Sequence, residues 1–163
     1  MRAVLLTGPV ASGKTAVAQE MVAICEDRGL AAAAIDLDWL GWSTGGSLRL
    51  SELIARNLAA VAANYAAAGI ERVVLARAYV AESNLDEIKE SLPGWELAVV
   101  SLEASRQTLE ERLRRRDSGF ELEHHLGHIA AGHQRLHAAA AVVNEGRALH
   151  EVALEVMRIG AWI

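Results

Sequence analysis

Eight consecutive residues, Gly8-Pro9-Val10-Ala11-Ser12-Gly13-Lys14-Thr15, match the pattern G-x-x-x-x-G-K-[ST]. Each fixed type has a chemical reason. Glycines let successive backbone N–H groups curl around phosphate oxygens, so Gly8, Ala11, Ser12, Gly13, Lys14, Thr15 and Ala16 are the expected nucleotide contacts. A helix starting at Lys14 adds its positive end. The Lys14 ammonium reaches the β- and γ-phosphates, and the Thr15 hydroxyl is placed to bind Mg²⁺. An incidental glycine turn is the plain alternative, but a buried strand before the loop and a helix after it are the context the motif requires. The ligand implied is a purine nucleoside triphosphate, with ATP first.

A second group of candidates is less specific. Asp36 and Asp38 follow an apolar run and fall at the carboxyl edge of a sheet, on the phosphate side. Either could simply cap a helix. Arg112 and Arg116, in Glu111-Arg112-Leu113-Arg114-Arg115-Arg116-Asp117, share one helix face by i,i+4 spacing, although a solvated charged face paired with Glu110 and Glu111 would look the same. Trp39 and Trp42 lie just past Asp38, where they form either an aromatic wall for a planar or sugar-like acceptor or part of the core. His124, His125, His128, His133 and His137 crowd into one expected helix. Their i,i+4 pairs have metal-ligand spacing, but with no carboxylate or cysteine arranged beside them, cleft-facing or solvated rings are expected instead. His133 and Arg135 are acceptor contacts by position only.

The elements that must position these groups follow from apolar runs and breakers. Ala3–Leu6 is a short strand ending at Gly8-Pro9, and Lys14 to Arg28 is a helix with Ala16, Val17, Met21 and Ile24 on one face, stopped by Gly29. Ala31–Ile35, Arg72–Ala76, Glu96–Leu102 and Ala139–Val143 are further strands. Helices are expected over 48–68, 84–91 (capped by Ser83), 103–116, 121–137 and 147–158. Five apolar strands alternating with helices predict an α/β fold: a three-layer α/β/α domain over residues 1–163 with a five-stranded parallel sheet.

Absences narrow the class. The third strand ends Val74-Leu75-Ala76-Arg77, without the metal-holding aspartate of motor and switch ATPases, and no Asn-Lys-x-Asp guanine-reading motif occurs. The chain resembles the small P-loop kinases of the nucleoside monophosphate kinase fold, the shikimate, gluconate, adenylylsulfate and chloramphenicol phosphotransferase group. Gly8–Thr15, Asp36–Asp38, Glu111–Arg116 and Val142-Val143-Asn144-Glu145-Gly146-Arg147 carry the resemblance. It implies that Asp38 orients or deprotonates the acceptor hydroxyl and that Asp36 faces Mg²⁺, often through water. It further implies that Arg112 packs on adenine, Arg116 meets the transferring phosphate, and the backbone around Gly146 reads the adenine edge. Arg77 takes the position of an arginine that binds an anionic acceptor. Residues 41–68 would be an acceptor-binding flap and 116–122 a short lid hinged at Gly119.

Composition agrees. The 163 residues are 52% hydrophobic and 23% charged, ordinary for a folded domain, with a formal charge of −5 that disfavours a broad nucleic-acid face. Only Lys14 and Lys89 are lysines, so the phosphate loop claims half of the point-charge cations. One cysteine, no visible secretion signal and no membrane-length apolar run point to the cytoplasm. The activity expected is a phosphotransferase using ATP and Mg²⁺ on a small hydroxylated or phosphate-bearing acceptor, as a monomer or homodimer. A nucleotide-binding regulatory module and a polynucleotide 5′-kinase are the alternatives.

Overall fold

The computed structural model describes residues 1–78, 80–132, 136, 137 and 139–163. Five strands, β1 (Arg2–Thr7), β2 (Ala32–Asp36), β3 (Arg72–Ala76), β4 (Glu96–Glu103) and β5 (Ala140–Val143), form one parallel sheet in the order β2-β3-β1-β4-β5. In chain order, α1 (Lys14–Asp27), α2 (Leu37–Leu40), α3 (Leu50–Ala67), α4 (Glu82–Glu90), α5 (Arg106–Arg116), α6 (Gly119–Ala131) and α7 (Leu149–Ile159) connect them.

Alternation along the central strand assigns the two helical layers. Val4 and Leu6 of β1 pack with Val17, Met21 and Ile24 of α1 and Val152, Val156 and Met157 of α7. Ala3 and Leu5 face Ile54 and Leu58 of α3 and Leu85 and Ile88 of α4. A smaller cluster joins Leu109 and Leu113 of α5 to Ile129 of α6, against Val10 and Ala11 of the first loop. The expected α/β/α layering and five parallel strands are therefore present, and every strand ends at the same edge.

Several boundaries differ from the sequence expectation, each for a local reason. The short helix α2 is an addition: Asp36 caps it by accepting from the Asp38 N–H at 3.0 Å, so the first aspartate of the pair is the cap. β4 runs on through Glu103, paired with Val143, and α5 starts only after Ser105, whose hydroxyl accepts from the Thr108 N–H. Ser83 does not cap α4; the cap position is Ala81, with no side-chain bond, while Glu82 of the first turn accepts from the His137 N–H at 2.7 Å. The helix expected to reach His137 is α6, which begins at Gly119 and stops at Ala131 because Gly132 turns the chain at φ 82°. The stretch 116–122 is the end of α5, a two-residue connection and the first turn of α6. Within 41–68, α3 is anchored by Ile54, Leu58 and Ala62, so only the preceding segment, up to Arg49, is loop. No helix among the described residues is long and apolar enough to cross a membrane.

Candidate functional site

The loop after β1 and the start of α1 form the floor of a cleft of about 430 Å³ at the carboxyl edge of the sheet. Its backbone turns through left-handed conformations at Gly8, Ala11 and Gly13 (φ 132°, 64° and 94°). Two of these positions admit no side chain. A Cβ on Gly8 would stand 2.4 Å from the Leu102 carbonyl oxygen, and one on Gly13 would stand 2.3 Å from the Asn144 side-chain nitrogen. The motif glycines are thus set both by backbone conformation and by what lies behind the loop.

Ala11, Gly13, Lys14, Thr15 and Ala16 line the cleft together with Asp36, Asp38, Arg77, Arg112 and Arg116. Ten of the sequence-predicted residues converge, although the loop after β1 with the start of α1, the β2–α2 junction, the residue after β3 and α5 supply them from distant parts of the chain. Gly8 and Ser12 shape the loop without lining the cleft, and Gly146 lies in the exposed turn after β5 with φ 65°. Trp42 does not line it either. Trp39 and Trp42 are 70% and 77% exposed and stack on each other with centroids 5.2 Å apart, so neither is a core residue. His133 and Arg135 fall outside the described residues.

Electrostatics divides the cleft. The Lys14 ammonium donates to the carbonyls of Gly8 (3.1 Å) and Pro9 (2.8 Å) and to the Ser12 hydroxyl (3.4 Å). Burial pushes its pKa down to about 8, with Asp38 and Asp36 pulling the other way. Asp38 has its carboxyl pKa raised, first by burial and then by Asp36, while Arg77 and Lys14 oppose the shift. Arg77 Nε lies 3.7 Å from Asp38 Oδ1. These groups form the end of the cleft where β2 and β3 finish.

At the other end, Arg112 is a cross-link. Its Nη1 donates to the Ala11 carbonyl at 3.2 Å and its Nη2 to the Asn144 carbonyl at 2.7 Å. Asn144, buried at the end of β5, donates its side-chain amide to the Ser12 carbonyl at 2.7 Å. Sequence reasoning places Asn144 in the right segment but gives it no role; the available signal is a polar residue directly after the apolar run of β5. Arg116 pairs bidentately with Asp117, at 2.6 and 2.9 Å, through Nε and Nη2. The Asp117 side chain is 4% exposed and also contacts His125 Nδ1 at 2.7 Å. Hydrogen bonding from Arg116 holds the Asp117 carboxyl down to about 2, assisted by His125. His125 itself lines the cleft, and it belongs with Asp117 and Glu121 in a group of potential metal ligands within 4.8 Å of one another. Carboxylates do therefore accompany one of the histidines, contrary to the sequence expectation.

Thr15 and Asp36 supply hard oxygen donors to the same cleft. Asp36 uses Oδ1 to cap α2, and Oδ2 takes no part in that bond. An all-oxygen donor pair beside a phosphate loop suits Mg²⁺, which prefers few protein ligands plus phosphate and water.

No protein-family model matches the chain, and no curated protein matches it by sequence. Solved structures do. A gluconokinase from Sinorhizobium meliloti 1021 is 26% identical, with 99% of this chain and 92% of that chain covered and a TM-score of 0.60. A sugar kinase from Janibacter sp. HTCC2649 is 15% identical over 98% and 94% of the two chains, with a TM-score of 0.67. The APS kinase of Mycobacterium tuberculosis, solved with AMPPNP and APS, is 21% identical over 97% and 96%, also at 0.67. Over almost its entire length, this chain has the α/β fold of the P-loop kinases.

Proposed function

We propose that the protein is an ATP-dependent phosphotransferase that moves the γ-phosphate directly onto a small hydroxylated or phosphate-bearing acceptor. The observation that carries this reading is the placement of Lys14, Asp38 and Arg116 around one cleft whose floor is the phosphate loop. Loop and helix-start N–H groups, from Ala11 to Ala16, bind the phosphate chain. Lys14 and Arg116 neutralise charge on the transferring group, and Arg112 flanks the base near the turn containing Gly146. Thr15 and Asp36 would hold Mg²⁺, which supplies charge neutralisation between the phosphates when bound.

The acceptor enters where β2 and β3 end. Its hydroxyl oxygen forms the new bond to the γ-phosphorus as the bond from that phosphorus to the bridging oxygen breaks. Asp38 takes the hydroxyl proton, and ADP leaves with the electron pair of the broken bond. A carboxyl pKa raised by partial burial and by the neighbouring Asp36 makes Asp38 a better base than an isolated aspartate. Arg77 keeps the Asp38 carboxylate in place and offers a cation to an anionic acceptor. The loop before α3, with the exposed Trp39–Trp42 stack beside Asp38, is the flap that contacts the acceptor, and the α5–α6 corner is the lid.

Supporting this reading, the solved neighbours include a sugar kinase, a gluconokinase and an APS kinase. Phosphorus NMR on ATP, Mg²⁺ and a panel of sugars, sugar acids, nucleosides and sulfate-bearing nucleotides tests it. A new phosphoester resonance with stoichiometric ADP is the expected result. ATP binding without any phosphoester, with acceptors spanning those classes, would favour the regulatory reading, which the missing acidic residue at the end of β3 motivates.

A further inference from the structure

Outside the cleft lining, α6 carries a second arrangement of ligand atoms. His124 and His128, one helical turn apart, bring their Nε2 atoms within 3.1 Å of each other. Their rings meet edge to face, with centroids 4.6 Å apart and planes at 85°, and Phe120 stacks against His124 with centroids 6.1 Å apart. We propose that His124 and His128 chelate a divalent transition-metal ion such as Zn²⁺, Cu²⁺ or Ni²⁺.

The bite fits. Metal–imidazole bonds run about 2.0–2.1 Å. With nitrogens 3.1 Å apart, an ion at that distance from both subtends about 98°, between the square-planar and tetrahedral angles. The helix presets the spacing, because residues four apart stand one above the other on the same face. In the observed contact one Nε2 donates to the other. Ligation requires both Nε2 lone pairs to point at the ion, so in the loaded site each ring carries its proton on Nδ1. Imidazole donors select transition metals over Mg²⁺, and water completes the coordination.

The neighbouring Asp117–Glu121–His125 group is a poorer site, although its ligand atoms are also close. Both Asp117 oxygens already accept from Arg116, and one of them also contacts His125. A metal there would have to displace the bidentate arginine on a buried carboxylate, whereas His124 and His128 offer two imidazole nitrogens at chelating distance. The His124–His128 site shares no residue with the cleft lining and stands or falls independently of the kinase reading.

Calorimetric titration of the full chain with ZnCl₂ in a non-chelating buffer tests the proposal. It predicts a site with 1:1 stoichiometry that is weakened at least tenfold in His124→Gln and in His128→Gln and unchanged in His150→Gln on α7. Saturating Zn²⁺ should raise the thermal midpoint of the wild type but not of either α6 variant. His124 is exposed and its replacement leaves the core intact; should His128→Gln misfold, the Cu²⁺ electron paramagnetic resonance spectrum of the wild type decides, with two equivalent nitrogen donors expected. Zn²⁺ affinity unaltered by either α6 substitution, no Zn²⁺ uptake by the wild type at millimolar concentration, or a Cu²⁺ spectrum without paired nitrogens would overturn it.

Discussion

The side-chain amide of Asn144 donates to the carbonyl of Ser12 at 2.7 Å, joining the end of β5 to the phosphate loop across 132 residues of sequence. Arg112 reinforces the junction by bonding the carbonyls of both Ala11 and Asn144. The left-handed turns at Ala11 and Gly13 are therefore braced from behind. Replacing Asn144 with Ala leaves a buried carbonyl unsatisfied, at a cost of about 1–3 kcal/mol in stability. Chemical denaturation should show that loss, and ATP affinity should fall at least several-fold because the loop's N–H groups are no longer held in register. Unchanged affinity would mean that the loop keeps its shape without the brace.

Lys14 gives a pH signature. Burial lowers its folded pKa to about 8, below the unfolded value of 10.5, so the unfolded chain binds more protons between those two pH values. The charged ammonium at neutral pH therefore costs stability, and that cost is relieved as pH rises through the window. Affinity for ATP should run the opposite way: flat up to about pH 7.5, then falling by up to about tenfold per pH unit as the free protein loses the ammonium. In Lys14→Arg, with a side chain charged throughout, the affinity should be lower overall and level across the same range. Isothermal titration at several pH values distinguishes the two profiles.

Asp38→Asn keeps the shape of the side chain and removes the proposed proton acceptor. Transfer to any true acceptor should drop by at least about 10²-fold, the usual contribution of a positioned base, while ATP affinity changes little. In the wild type, the acidic limb of the rate profile should lie above the ordinary carboxylate range because burial and Asp36 raise the Asp38 pKa. The rate falls as pH drops through that raised value. Steady-state kinetics on the variant and a wild-type pH profile check both statements.

Asp117 stabilises the fold through Arg116 and His125. Its folded pKa, about 2, lies below the unfolded carboxylate value, so its contribution is complete above pH 4 and disappears as pH falls toward 2. Asp117→Asn should lower stability by about 1–3 kcal/mol at pH 7. The difference between variant and wild type should shrink below pH 4, which calorimetric melting across pH 3–8 would record. Because Arg116 loses its bidentate partner, the variant should also transfer phosphate more slowly.

The sheet was legible because each strand is an apolar run ended by glycine or by a polar or charged residue, and the phosphate loop because its chemistry demands a nearly contiguous motif. Asp36 and Asp38 were legible from their place at the end of the second strand, and Arg112 and Arg116 from their i,i+4 spacing together with the resemblance to the small P-loop kinases. What sequence could not give were relationships made only by folding. Asn144 looks like any polar residue after a strand until Ser12 is set beside it. Nothing in the spacing of five histidines says that His125 faces the cleft while His124 and His128 face each other. The two tryptophans after Asp38 had two equally reasonable fates, and the fold leaves both on the surface. The four-residue helix α2 was too short for any period to reveal, and its existence assigns the capping role to Asp36 rather than Asp38.

Direct transfer of the γ-phosphate within this cleft is the step that defines the proposed reaction. Incubating the protein with γ-³²P-labelled ATP, Mg²⁺ and a small-molecule extract of the cells that make it tests that step whatever the acceptor is. Label should move from ATP to a small organic phosphate with the wild type, and not with Lys14→Met or Asp38→Asn. Label appearing only as inorganic phosphate, at the same rate for all three proteins, would contradict the account.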